Sequence, residues 1–338
     1  GIPKIKSEDD KNLFFGYGMV LAHDRLFQLD YLRRKAIGSL SEVMGKKTLD
    51  IDIVAKTMDF VSIAKKEYSE MPKWSKELLD SFTDGINHYI DKNRELLPLE
   101  FSILDYKPEK WEAIDSLAIM SEFRYYLTVR IPLLIMPEYA RKHIEDKDLL
   151  DIYVGGEADD ETILFDNEYT PGTPNSNLNG SSTSSSEDGV GSNNWVVGPE
   201  KSKTKYPLLA SDPHIAFGAV SCWYQIQLEG DKFNTMGMSY SGVPVIFMGR
   251  NKNVAWGITN NICSQRDLYY EKVNKNNANE YLYDGNYFQF EKRSDTIKIK
   301  DEDDYTIDIK STNNGPVVNK LLPKWVDIKE PVTLNWLG

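Results

Sequence analysis

The spacing of hydrophobic residues predicts helices in the first half of the chain. Between Leu13 and Tyr31, apolar residues recur at roughly helical intervals. Ser7, with Asp10 three residues later, is predicted to cap this helix. Further helices are predicted at 75–93, 114–129 and 133–145. Residues 1–165 are therefore predicted to be mainly helical.

From Ser192 the hydrophobic period changes to two, which predicts short strands separated by Gly, Pro and Asn. The runs are SNNWVVGP, YPLLASDP, SCWYQIQLEG, FNTMGMSYSG, VPVIFMG, NVAWGITN, LYYEKV, EYLYDGNYFQFEKR and DTIKIKDEDDYTIDIK. The Asp-Gly step in DGNY predicts a tight hairpin turn. SNNWVV is predicted to be a buried strand, with Trp195 and Trp256 in the core.

A low-complexity segment, PGTPNSNLNGSSTSSSEDGVG, occupies residues 171–191. Its Gly and Ser are typical of flexible coil, and no apolar residue recurs to hold it down. We divide the chain into a helical region at 1–165, a spacer at 166–191 and a strand-rich region at 192–338. The simplest interpretation of the spacer is a linker between two domains, as in a non-catalytic binding protein.

Composition excludes several classes of function. The net charge is −12, the acidic residues are scattered, and the missing basic stripe argues against a nucleic-acid partner. No apolar run reaches the about 18 residues that a membrane helix needs, so no membrane span is predicted. Cys222 and Cys263 lie in no CxxC motif or Cys/His cluster, which argues against zinc. Two buried thiols are favoured over a disulfide, which the spacing does not decide.

The junction between the spacer and the first strand contains a serine that could act as a nucleophile. Cleavage of the Gly191–Ser192 bond would leave Ser192 with a hydroxyl and a free α-amino group. Such an amine has a reference pKa of about 7.7–8.0 and accepts a proton near neutral pH. Nucleophile and base would then share one residue, without a histidine. Because Gly-Ser steps are common, the linker interpretation remains stronger on the junction alone.

Several blocks of the sequence resemble one family. SNNWVVGPEKS resembles the start of the β subunit in the penicillin acylase family of N-terminal nucleophile hydrolases, and FFGYGMVLAHDRLFQLDYLRRKAIGSLSEVMG resembles its α-subunit signature. LLASDPHI, VPVIFMGRNKNVAWGITNN, RDLYYEKV and STNNGPVV resemble further β-subunit segments in the same order. The resemblance implies an α+β fold, namely part of an αββα sandwich beside a mainly helical α-subunit region.

The resemblance also implies a function and its residues. The precursor would cut itself at Gly191/Ser192, and Ser192 would then attack small N-acyl amides such as β-lactam side chains or acyl-homoserine lactones. His214 would lie near this nucleophile, and the N–H of Asn260 would bind the oxyanion. The implied acyl pocket is lined by Arg124, Tyr125, Ile215, Phe247, Met248 and Ile258. Core packing or a salt bridge is an equally good explanation for Arg124 and Tyr125, and the apolar residues would be buried in strands in any case.

Departures from the family limit what is carried over. Some members bind structural calcium; Asp267 matches one ligand position, but Ser264 occupies a neighbouring one, which argues against a calcium site. No cofactor is expected in the chemistry itself. A second oxyanion donor, an asparagine, is expected beyond Gly338, so a further β segment is an expected partner of the α and β parts and the chain alone is expected to be nearly inactive. The resemblance further suggests an extracytoplasmic location.

Overall fold

The computed structural model describes residues 1–128, 131–150, 191–215, 221–259 and 265–338. Helices precede strands almost throughout, as expected for the predicted α+β class. The helices are α1 (Asp10–Ile37), α2 (Ser41–Met44), α3 (Leu49–Met58), α4 (Phe60–Glu70), α5 (Lys73–Lys92), α6 (Leu99–Leu104), α7 (Ala113–Thr128) and α8 (Ile131–His143). The helices predicted at 75–93, 114–129 and 133–145 are confirmed as α5, α7 and α8.

The strands form several small sheets. They are β1 (Lys4–Lys6), β2 (Gly191–Val197), β3 (Leu208–His214), β4 (Trp223–Glu229), β5 (Asn234–Tyr240), β6 (Ile246–Arg250), β7 (Ala255–Trp256), β8 (Arg266–Tyr270), β9 (Val273–Asn274), β10 (Asn277–Tyr283), β11 (Asn286–Gln289), β12 (Glu291–Ile297), β13 (Tyr305–Thr312), β14 (Gly315–Pro316) and β15 (Val332–Trp336). The sheet orders are β1-β4-β5-β6-β7, β11-β10-β9, β12-β13-β14, β15-β8 and β2-β3. The αββα layering stays a prediction, as do the boundaries of the three regions, because residues 151–190 lie outside the described ranges.

The start of α1 corrects the predicted cap. Asp9, not Ser7, is the N-cap residue, because its carboxylate accepts the N–H groups of Lys11 (3.1 Å) and Asn12 (3.4 Å). Ser7 supports this turn from outside, since its hydroxyl accepts the N–H of Asp9 at 3.1 Å. A carboxylate therefore replaces the expected hydroxyl at the positive end of the helix dipole.

The main core lies where α1, α5 and α7 pack on strands β4 and β5. Tyr17, Phe82 and Ile226 are fully buried there. Helices α1 and α5 approach closely at Gly18 and Gly85, where a side chain would collide with backbone of the facing helix. The helical region and the strand region thus share one core, which brings the α1 signature against the five-stranded sheet.

The ribbon formed by β2 and β3 corrects the predicted burial of SNNWVV. The segment is a strand, as predicted, but Trp195 is 54% exposed and Val196 is 68% exposed. Within the described residues, β2 pairs with β3 alone, and residues 193–196 are exposed. The hydrophobic pattern identified the strand correctly, whereas burial depends on which other elements pack against it.

The hairpin predicted at DGNY is confirmed. Asp284 and Gly285 join β10 to β11, and their φ angles are 45° and 76°. Two successive left-handed residues form the two-residue turn whose twist matches that of the flanking strands. The pairing of Tyr283 with Asn286 closes the ladder directly at the turn.

Candidate active site

The Gly191–Ser192 bond lies at the first step of β2, opposite the end of β3. In the antiparallel register, Gly191 pairs with His214 and Ser192 pairs with Pro213. The resemblance placed His214 near the nucleophile, and the ribbon brings it directly across from the residue before Ser192.

Asp212 holds the His214 ring. Its carboxylate Oδ2 lies 2.9 Å from Nε2 of the imidazole. The two residues are two positions apart on β3, so their side chains emerge on the same face of the strand. The imidazole is 39% exposed and so remains accessible from solvent. Sequence reasoning missed Asp212, although the period of two in Asp-Pro-His would have revealed it.

A segment following β7 lies against the ribbon at the same place. The Thr259 hydroxyl donates to the Ser192 carbonyl oxygen at 2.9 Å. Gly257 lies so close to the ribbon that an added Cβ would stand 2.7 Å from Oδ1 of Asn194. Asn260, the predicted oxyanion residue, lies outside the described ranges. Its chain neighbour Thr259 nevertheless contacts the proposed nucleophilic residue.

The apolar residues predicted to line the acyl pocket lie on β6, directly after β3 and shortly after β7. Met248 is buried, and its Sδ accepts from the Ser211 hydroxyl of β3 at 3.6 Å. Phe247 stands beside Trp223, with ring centroids 5.8 Å apart. It lines a largely apolar groove of about 460 Å³ between α5, α7 and β6. Ile215 packs on the main core. Ile258 is half-buried and lies in the sequence between Gly257 and Thr259, which both contact β2.

For Arg124 and Tyr125 the contacts are those of the structural alternative. Arg124 forms a salt bridge with Glu67 of α4 at 2.6 Å. Tyr125 packs edge-on against Phe60 and Trp336, with ring centroids 5.5 and 5.7 Å away. Burial raises the pKa of the Tyr125 hydroxyl to about 12. Both side chains therefore fix α7 to its neighbours, and their predicted part in an acyl pocket has no support in these contacts.

Asp267 is exposed on β8 and borders a cavity of about 580 Å³ next to α8. Ser264 and Cys263 lie outside the described ranges. Among the residues that the structure describes, no group of three or more His, Cys, Asp or Glu side chains could hold a metal ion. Cys222 is half-buried, and desolvation raises the pKa of its thiol.

Charged residues of α1 join this helix to its neighbours. Asp24 accepts a hydrogen bond from Tyr224 at 2.6 Å and so joins the helix to β4. Asp30 is 2% exposed and binds both Arg33 and Arg34. These carboxylates join elements of the core.

Comparisons with known proteins agree on one family. The family profile described as "Penicillin amidase" matches residues 1–338. The chain is 28% identical over 350 residues to an acyl-homoserine lactone acylase, QuiP, of Pseudomonas aeruginosa, covering 99% of this chain and 41% of that protein. It is 29% identical over 332 residues to the penicillin acylase 2 proenzyme of a Pseudomonas species, covering 94% of this chain and 42% of that protein. It therefore spans about two fifths of the length of these relatives.

A solved structure of a thermostable penicillin G acylase from Alcaligenes faecalis matches with a TM-score of 0.38 and 23% identity, over 49% of this chain and 88% of that one. Within the described ranges, no helix is long and apolar enough to cross a membrane.

Proposed function

This chain belongs to the penicillin amidase family, and from that premise we propose that it is part of an amide hydrolase precursor that cleaves itself between Gly191 and Ser192. The observation that carries the proposal is the convergence at this bond. His214 pairs with Gly191 across the ribbon, and the Thr259 hydroxyl binds the Ser192 carbonyl oxygen. The αββα sandwich implied by the family belongs to the same proposal.

Self-cleavage proceeds through an ester. The Ser192 hydroxyl oxygen attacks the Gly191 carbonyl carbon, the carbon–nitrogen bond breaks, and the Ser192 nitrogen keeps the electron pair and takes up the proton that the hydroxyl loses. Water then hydrolyses the ester. The products are a new carboxylate at Gly191 and an N-terminal Ser192 with both hydroxyl and amine.

Turnover of a substrate reuses the same serine. The α-amine takes the proton from the Ser192 hydroxyl, through a water, while the oxygen attacks the amide of a small N-acyl amine. The amine product leaves, and water releases the acid from the acyl-enzyme. The N–H of Asn260 stabilises the oxyanion. Serine, amine and water carry this chemistry, with no cofactor.

The first test is the mass of the intact chain after expression. We expect two fragments that meet at 191/192 in the wild type and one uncut chain for Ser192→Ala, because the attacking oxygen is gone. Ser192→Cys should still cut, since a thiol performs the same acyl shift. Ser186→Ala, an equivalent change in the spacer sequence, should cut like the wild type.

An uncut wild-type chain would remove the support for self-cleavage and favour the linker of a binding protein. Normal processing of Ser192→Ala would show that another nucleophile, or a separate protease, makes the cut.

A further inference from the structure

The carbonyl group of Ser192 lacks a donor on the opposite strand. Ser192 faces Pro213 across the ribbon. Because proline has no N–H, this is a non-hydrogen-bonded pair of the antiparallel ladder, and its carbonyl groups point away from the partner strand. The donor is instead the hydroxyl of Thr259, whose Oγ1 lies 2.9 Å from the Ser192 oxygen. A side chain from outside the ribbon therefore binds the outward-facing carbonyl oxygen of Ser192.

The backbone that leads to Thr259 is anchored just before the ribbon contact. The Trp256 indole N–H donates to the Ile246 carbonyl at 3.1 Å, which fixes β7 on β6. At Gly257, an added Cβ would stand 2.7 Å from Asn194 Oδ1 and 3.0 Å from Ser211 Oγ. The absence of a side chain at this position lets the segment approach β2 closely enough for the Thr259 hydroxyl to reach.

Fixing the Ser192 carbonyl group matters for attack on the preceding bond. The hydroxyl of Ser192 must reach the Gly191 carbonyl carbon, and its reach depends on the backbone rotation of Ser192 itself. A hydrogen bond to the carbonyl on the far side of the same α-carbon restricts that rotation. Rate gains of this kind come from holding the reacting atoms in the productive geometry.

We infer that Thr259 is a positioning residue for self-cleavage at Gly191/Ser192, and that Gly257 provides the close approach that it needs. The inference rests on the proposed function. Thr259 touches the backbone of the nucleophilic residue and neither donates to nor accepts from the reacting atoms. Its hydroxyl, and not its methyl group, carries the effect.

The test follows the fraction of cut chain over time by intact mass. Thr259→Val keeps the shape and removes the hydroxyl, and it should slow cleavage by about three- to tenfold, the range for one neutral hydrogen bond. Thr259→Ser keeps the hydroxyl and should cut at close to the wild-type rate. Gly257→Ala should also slow cleavage, because it pushes the segment off the ribbon. Thr306→Val, an equivalent change at an exposed β13 position, should leave the rate unchanged.

The outcomes separate the two proposals. A wild-type chain that stays uncut, or a Ser192→Ala chain that is cut, removes the proposed function together with this inference. If the wild type is cut and Thr259→Val is cut equally fast, the positioning role alone is wrong. Equal slowing by Thr259→Ser and Thr259→Val would trace the effect to packing and also overturn it. Thermal unfolding of each variant, monitored by circular dichroism, should give the wild-type midpoint for both Thr259 variants.

Discussion

Asp30 is the buried centre of an ionic cluster, and Asp30→Asn should destabilise the fold strongly. Its carboxylate binds Arg33 and accepts hydrogen bonds from Arg34 Nε at 3.0 Å and from the Tyr106 hydroxyl at 2.8 Å. The side chains of Arg33 and Arg34 are 4% and 6% exposed. Asparagine keeps the size and an acceptor oxygen but removes the negative charge between two buried guanidinium groups.

Breaking a buried ion pair from one side typically costs about 3–5 kcal/mol, because the remaining charge is left uncompensated. Here both arginines keep other partners. Arg33 donates to the Lys110 carbonyl at 3.0 Å, and Arg34 pairs with Glu42 at 3.0 Å. We therefore expect a loss near the lower end, about 3 kcal/mol in the free energy of unfolding.

Urea unfolding followed by tryptophan fluorescence measures this loss. With a slope of about 3 kcal/mol per molar, the midpoint should fall by about 1 M while the slope stays unchanged. The matched control is Asp91→Asn, because Asp91 pairs with Arg94 at the same i,i+3 spacing but on the surface, where the midpoint should not move measurably. Equal midpoints for Asp30→Asn and Asp91→Asn would show that burial of the cluster does not determine its contribution.

Two further substitutions test other features of the helical region. Burial raises the pKa of Asp115 to about 6, above its unfolded value near 3.8. The contribution of Asp115 to the free energy of unfolding is therefore fully present below about pH 4 and is lost as the pH rises through 6. At about 1.4 kcal/mol for each unit of pKa shift, the loss is up to about 3 kcal/mol. In Asp115→Asn the free energy of unfolding should change less between pH 4 and pH 6 than in the wild type. An equal dependence on pH in both proteins would show that Asp115 does not cause it. Gly85→Ala should lower the urea midpoint by at least about 0.5 M, because its methyl group collides with the Phe15 carbonyl. Gly16→Ala meets only the flexible Ile5 side chain and should cost much less; equal losses would refute the close helix crossing.

Local hydrophobic periodicity was enough to predict most helices and strands. It failed where residues distant in the sequence determine pairing or burial. The helix at 75–93 and the turn at Asp284 carry their own signals, so both were predictable. Strand β1 was missed inside the region predicted to be helical, because three residues show no usable period. It forms by parallel pairing with β4, more than two hundred residues later. The exposure of Trp195 was mispredicted for the same reason, since burial depends on what covers a strand.

The candidate site divides in the same way. Ser192 stood out because a change of texture marks it in the sequence, and the resemblance pointed to His214. The register that brings His214 opposite Gly191 depends on how β2 and β3 pair, and the sequence between them does not specify that register. The contact of Thr259 with Ser192 joins residues 67 positions apart. No local sequence pattern predicts this contact of the Thr259 hydroxyl. The position of Thr259 next to Asn260 was the one indication that it lies near the site.

The four residues at the end of β3 explain why this register is constrained. Ser211 donates to Met248 in the five-stranded sheet, whereas Asp212 contacts His214, so successive residues serve opposite faces of one strand. Ser192 faces Pro213 at a non-hydrogen-bonded pair, and the carbonyl oxygen of Ser192 accepts the hydroxyl of Thr259 outside the ladder. A slip of one residue would exchange the two faces and move His214 away from Gly191. The same slip would also detach the ribbon from Met248. The packing that fixes the ribbon and the geometry proposed for cleavage therefore depend on a single register.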